Sequence, residues 1–264
     1  MAAFLWYNRN TAEQQMKGER RMPNSIQDYR QLIDKPWGRM FYDMVFRQLA
    51  WTNDTPQRIL DFGAGFCVTA NHYAEHHHVT AVEPNEQMLA LGVHEHPFEL
   101  IHGDVEALSA FAEDTFDHVI CHNVLEYVPD KEIILRALAR VLKRGGTLSI
   151  IKHHLPGRIL ANAVFSDDPK AALHLMESGD NESSMFGSRD TYEDAYLIEQ
   201  VKQWGLSLEN LFGIRTFFAL SSNNEIKWSR EWYEDMLALE MRACRLDEWK
   251  NIAFFHHLIF QKRA

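Results

Sequence analysis

The stretch Asp61-Phe62-Gly63-Ala64-Gly65-Phe66-Cys67 carries the most chemical content in this 264-residue chain. The run Arg58 to Phe62 leads into it and reads as a short buried strand ending in glycines. Glycine lets the backbone approach a ligand closely, because no Cβ intrudes. A helix starting after the turn would add unbonded amides. Twenty-two residues after Asp61, Glu83 closes a second strand-like run, Val79 to Glu83. A carboxylate in that place accepts hydrogen bonds from both hydroxyls of a ribose. The pairing of turn and carboxylate is nucleoside-binding chemistry. A dinucleotide fingerprint would need Gly or Ala where Val68 stands, and the phosphate-cradling pattern with its Gly-Lys-Ser/Thr end is absent. Asp61, two places before the first glycine, suits a ligand that carries an amine.

Alternating strands and helices must hold these residues. Further strands are expected at Phe98 to His102, Phe116 to Cys121 and Thr147 to Ile151, with helices at 67–76, 85–93 and 131–143 between them. The last helix has Ile133, Ile134, Leu138, Val141 and Leu142 at core spacing and a Gly145-Gly146 stop. Such alternation predicts right-handed crossovers and a mostly parallel sheet covered on both faces. Residues 10–51 read as helical, with Pro36 at a first helical position and Trp37, Met40, Phe41, Met44, Val45 and Leu49 on one apolar face. Residues 153–190, rich in Gly, Ser, Asp and Asn, read as an irregular insertion. A helix over 192–204, a strand from Leu206 to Ile214, a helical insertion over 224–248 and a final strand at 252–261 complete the chain. The expected organisation is a helical segment over 1–51, packing on the ligand site, and an α/β domain over 52–264 with two insertions.

Composition removes several classes. Sixteen Phe, seven Trp and eight Tyr argue against disorder of the whole chain. Cys67, Cys121 and Cys244 are odd in number and far apart, which argues against a disulfide framework or a structural zinc site. The start, MAAFLWYNRNTAEQQ, has too short an apolar run for a signal peptide, and no stretch reaches the roughly 18 apolar residues of a membrane span. A reducing cytoplasm is the expected compartment. The net charge of −10 argues against a general nucleic-acid coat. It is unevenly spread: residues 133–166 hold six basic residues and no acid, and residues 167–199 hold two basic and nine acidic. Arg140, Lys143 and Arg144 suit a helix C-terminus; Lys152 and Arg158 are expected to meet phosphates.

Four further motifs follow the glycine turn in order: Val82 to Leu89, His102-Gly103-Asp104-Val105, Phe116 to Val128, and Leu142 to Leu148. Together they resemble the class I S-adenosylmethionine-dependent methyltransferases. The hallmark of that family is an Asp or Glu followed by x-G-x-G-x-G; Asp61, Gly63 and Gly65 match it, and Cys67 replaces the third glycine. The resemblance implies a Rossmann-like, doubly wound, mostly parallel seven-stranded sheet, with S-adenosyl-L-methionine as cofactor. It implies cofactor contacts at Asp61, Gly63, Ala64, Gly65, Glu83, Pro84, Met88, Asp104, Val105 and His122. It also implies an arginine of the N-terminal segment on the cofactor's carboxylate. Phe41 occupies the aligned position, so Arg39 is nominated, about 200° around a helix from it.

The segments His122 to Val128, Gly213 to Phe217, Glu240 to Arg245 and His257 to Lys262 resemble, more narrowly, the bacterial family that methylates the carboxylate of 5-carboxymethoxyuridine at the tRNA wobble position. A carboxylate is already ionised at neutral pH, so no base is required. Arg215 is the first candidate to hold that carboxylate and Lys152 the second. If the acceptor were a hydroxyl or amine, His122, His153 or His154 would serve as base. His76-His77-His78 is read as a solvated turn rather than a metal site, and Trp228, Trp232 and Tyr233 as helix packing rather than a base-stacking surface. Two other functions compete: a small-molecule O- or N-methyltransferase of the same fold, and a non-catalytic nucleoside-binding module.

Overall fold

The computed structural model describes residues 26–51, 54–179 and 192–264, and the backbone of a two-stranded antiparallel hairpin, Glu182–Ser183 with Gly187–Ser188. The helix expected from residue 10 therefore lies, up to residue 25, outside the described residues. In chain order come α1 (Ile26–Ile33), α2 (Pro36–Leu49), β1 (Arg58–Phe62), α3 (Val68–Ala74), β2 (His78–Glu83), α4 (Glu86–Ala90), β3 (Glu99–His102), β4 (Phe116–His122), α5 (Lys131–Val141) and β5 (Leu142–His153). Then follow α6 (Leu155–Val164), α7 (Pro169–Ser178), α8 (Asp194–Lys202), β6 (Leu206–Ile214), α9 (Arg230–Ala243), α10 (Asp247–Lys250) and β7 (Phe255–Lys262). The chain divides into two compact units. A sheet unit holds 51–152, 192–211 and 258–264; a helical unit holds the stretches up to Ala50, 153–191 and 212–257.

The seven strands run in the order β3-β2-β1-β4-β5-β7-β6. The pairs β1/β2, β1/β4, β2/β3 and β4/β5 are parallel. From β1 the chain builds outwards through β2 and β3, then returns to the other flank at β4. That reversal opens a crevice at the carboxyl ends of β1 and β4, where ligands bind in such sheets. Apart from their first residue, β1 and β2 are buried throughout, as strands covered on both faces must be. Asn85 and Asp130 cap α4 and α5, their side chains accepting from the amides of Met88 and Ile133.

Two expectations change in this unit. Gly145-Gly146 does not separate helix from strand, because β5 already begins at Leu142. Between Phe116 and His118 the pairing with β5 moves from Leu142 to Thr147, so the glycines sit in a bulge. Ile133 points outward, 43% exposed, and Leu135 takes the core place instead. The core gathers Leu60, Val82, Val119, Leu138, Leu148 and Leu258.

In the helical unit, α1 and α9 pack on α2, and α6 packs on α7. The apolar face expected of α2 is buried throughout. The segment read as irregular is instead helical over 155–164 and 169–178. Asp168 caps α7 by accepting from the Ala171 amide at 2.8 Å, Pro169 opens it and Gly179 closes it at φ 61°. The loop-forming residue types were capping signals. Gln48 Nε2 donates to the Gly213 carbonyl at 3.0 Å, so its Oε1 accepts from His257 Nδ1 at 2.7 Å. Burial pushes His257 down to about 3 and keeps the ring neutral.

Candidate active site

Asp61 is buried on β1, one residue before the strand end. The amides of Gly63 and Ala64 both donate to the Val82 carbonyl, at 2.8 and 3.1 Å, fastening the turn to β2. Gly63 has φ +74°, and a Cβ there would lie 2.2 Å from Val124 Cγ2, so only glycine fits. Cys67, the departure from the family pattern, is the N-cap of α3 with φ 56° and ψ 23°. The third glycine of the pattern thus falls on a left-handed position. Cys67 accepts that conformation at a cost of roughly 1–2 kcal/mol and buries its side chain completely.

The Gly65 amide donates to Glu83 Oε2 at 2.8 Å, and the Asn85 amide to Glu83 Oε1 at 2.9 Å. Each carboxylate oxygen retains a lone pair. Burial raises the Glu83 pKa against the pull of both amides and of His102. Burial pushes Asp61 up to about 7, with the neighbouring Glu83 charge adding to it. Asp61 Oδ2 is buried without a hydrogen-bond partner. The next strand ends supply His102, whose Nε2 lies 2.9 Å from the Pro84 carbonyl, and Asp104, exposed, accepting from the Glu106 amide at 2.9 Å. Val105 opens the short helical turn that follows, and Met88 is buried on α4.

His122 closes β4, its Nε2 2.7 Å from Ser149 Oγ. Asn123 beside it has φ 54°, and its amide donates to the Ile151 carbonyl at 2.8 Å. Adjacent parallel strands therefore bring Asp61, the glycine turn, Glu83, the 102–105 turn and His122 to one sheet edge. Lys152 is not solvated. It is buried, its Nζ 3.0 Å from Asp194 Oδ1 and 5.1 Å above the Tyr192 ring. Arg158 is buried too, so the two residues expected to meet phosphates present no open basic surface. Arg140, expected to stand at a helix end, donates to the carbonyls of Leu108 and Phe111. His77 is likewise buried, its Nδ1 accepting from the Gln57 amide.

The helical unit holds the other candidates. Arg215, at φ 60° just past β6, is 1% exposed. Its guanidinium lies 5.3 to 5.8 Å from the ring centres of Phe254, Phe218 and Phe255. Glu240 of α9 is wholly buried and accepts from the amides of Thr216 at 2.9 Å and Phe218 at 2.7 Å. It clamps the turn that presents Arg215. Burial raises the Glu240 pKa, while those amides and the Arg215 charge oppose the rise. The sequence did contain the signal for this clamp. Tyr233, Leu237 and Glu240 share one helical face, and a carboxylate on a buried face needs partners. Arg39 is exposed on α2, its guanidinium 4.9 Å from the Tyr233 ring. His153 packs against Phe255, and His154 stacks on His256 at 3.6 Å.

A family model described as a methyltransferase domain matches residues 60–150. The tRNA 5-carboxymethoxyuridine methyltransferase of Escherichia coli is 27% identical over 225 residues, covering 82% of this chain and 84% of that protein. A demethylmenaquinone methyltransferase of Listeria welshimeri is 38% identical over 98 residues, 33% of this chain and 41% of that one. Among solved structures, an S-adenosylmethionine-dependent methyltransferase of Mesorhizobium loti aligns with TM-score 0.55 at 16% identity, covering 88% of this chain and 100% of that one. The chain is an S-adenosylmethionine-dependent methyltransferase of the class I, Rossmann-like fold. The likeness to the tRNA-modifying enzyme spans 82% of the chain, and that to the quinone-modifying one 33%.

The sheet edge fits S-adenosyl-L-methionine on its own chemistry. Glu83 keeps lone pairs for two ribose hydroxyls. Asp61 Oδ2 is a buried acceptor matched to a cationic donor. Gly63 and Gly65 leave the turn without side chains. Among the described residues, no helix is long and apolar enough to cross a membrane.

Proposed function

We propose that the enzyme methylates the carboxylate of 5-carboxymethoxyuridine at the wobble position of tRNA, in the cytoplasm. The observation that carries this reading is the buried Arg215, ringed by three phenylalanines and presented by a turn that Glu240 clamps. A guanidinium held in an apolar surround is a carboxylate receptor of high selectivity, because its fork matches both oxygens. The similarity over 82% of the chain to an enzyme named for that modification supports it.

S-adenosylmethionine supplies an electrophilic methyl on a sulfonium. The chain's part is to bind, orient and exclude water. Glu83 and Asp61 hold the nucleoside and amine ends. Gly63, Ala64 and Gly65 offer close backbone approach, and Pro84 and Met88 flank the nucleoside. Asp104 and Val105 read the base, and His122 packs beside it. Arg39 takes the cofactor's carboxylate. Arg215 orients the acceptor carboxylate with two parallel hydrogen bonds, and Lys152 is a second cation for it. The acceptor is ionised at neutral pH, with a reference pKa of about 4, so no residue has to remove a proton.

Mass spectrometry of tRNA nucleosides from a deletion strain tests the proposal. Loss of the methyl ester with accumulation of free 5-carboxymethoxyuridine is the expected result. An unchanged profile overturns it, and methyl transfer to a metabolite pool alone points to a small-molecule acceptor.

A further inference from the structure

A groove of about 510 Å³ runs between α2 and the start of α9 in the helical unit. Its walls carry Arg39 and Arg47 from α2 and Arg230 from α9, all exposed. Lys227 lies buried beneath, its Nζ 4.6 Å from the Phe218 ring and 5.2 Å from that of Phe165. Two acids share the groove. Asp43 accepts from the Tyr233 hydroxyl at 2.6 Å, and Glu234 pairs with Arg230 at 2.7 Å. Four cations against two acids make this a locally positive surface on a chain of net charge −10. The Arg230–Glu234 pair is highly exposed and exchanges readily for a stronger anion. At the rim, Trp228 is 62% exposed, although it was expected to be helix packing. Tyr233 does pack, with the Arg39 guanidinium over its ring.

We infer that this groove docks the RNA substrate, with phosphates on Arg47 and Arg230 and an unpaired base stacked on Trp228. The inference rests on the tRNA reading above and gives that reading a docking face. Phosphates prefer guanidinium forks, and an open indole beside them offers the stacking platform that single-stranded nucleic acid uses. An acidic peptide would use the cations but not the indole. The two basic residues expected from the sequence to serve this role, Lys152 and Arg158, are buried.

The test measures binding of the full-length enzyme to an unmodified anticodon stem-loop RNA and to a poly-glutamate peptide, across a salt series. Trp228→Ala is expected to weaken RNA binding about tenfold through lost stacking. Arg47→Glu with Arg230→Glu is expected to weaken it further and to flatten the log-log salt slope by about 1.4, two phosphates at about 0.7 each. Cofactor binding, followed by calorimetry, should not change in either variant and confirms folding. Wild-type affinity for RNA in both variants overturns the inference, as does loss of peptide binding alone, which assigns the groove to a protein. RNA binding lost in the variants, together with an unchanged nucleoside profile in the deletion strain, supports the groove while overturning the wobble-uridine assignment. No RNA binding by the wild type overturns both.

Discussion

Gly65 and Glu83 are joined by a 2.8 Å hydrogen bond, amide to carboxylate, so the glycine turn of β1 and the carboxylate end of β2 form one mechanical piece. Glu83→Gln keeps the shape but turns one acceptor into a donor facing an amide. Cofactor affinity should fall by 10- to 100-fold, and the cofactor-free protein should lose about 1–3 kcal/mol. Calorimetric titration and denaturant melts of the same preparation check both numbers.

Cys67 tests the backbone argument. Cys67→Gly removes the left-handed penalty of about 1–2 kcal/mol and gives up burial of a small apolar side chain of similar worth. Its stability should stay within about 1 kcal/mol of the parent. Cys67→Val places a branched Cβ at φ 56° and should cost about 2 kcal/mol or more. Equal stability of the two variants in urea would count against the conformational explanation.

For Arg215 the prediction concerns which kinetic constant moves. Arg215→Lys keeps a charge and loses the fork, so KM for the acceptor should rise at least tenfold while cofactor affinity holds. Glu240→Gln loses a clamp on the Thr216 and Phe218 amides and leaves the Arg215 charge less compensated. It should raise the same KM and cost roughly 3–5 kcal/mol, the range for breaking a buried charged partnership. A kcat effect with unchanged KM would contradict the assignment of Arg215 to substrate orientation.

Asp61 links the site to pH. Its carboxyl is pushed up to about 7 from 3.8. An acid raised in the folded state favours folding below its unfolded value, and that contribution is lost as pH rises through 7. A cationic ligand reverses the preference by stabilising the carboxylate. Binding of S-adenosylmethionine near pH 6.5 should therefore release up to one proton, and affinity should rise with pH up to about 7. Calorimetry in buffers of different ionisation heat reads the proton directly, and Asp61→Asn should abolish its release.

The sheet half was legible because parallel strands buried on both faces are written as local apolar runs. Arg58–Phe62 and the strand ends at Glu83 and His102 need no distant information. Segment 153–178 was misread because Asp168, Pro169 and Gly179 are loop-forming in composition and helix-capping in position. The ion pair of Lys152 was illegible for a different reason. Its partner Asp194 lies 42 residues away, and ion pairs between distant segments leave no local pattern. Arg215 was nominated by resemblance, and the clamp that holds it required Glu240 to be seen on the buried face of α9.

The three thiols give the enzyme a built-in clock. Cys67, Cys121 and Cys244 are all buried, and burial pushes the Cys67 thiol up to about 12 and raises the other two. Only an exposed thiolate reacts with an alkylating reagent, so modification has to wait for the chain to open locally. Cys67 sits at the last bend of the cofactor turn, and its labelling half-life counts how often that turn comes apart. Cofactor should lengthen that half-life in inverse proportion to the cofactor-free fraction, while Cys244, on the helical unit, keeps its own time.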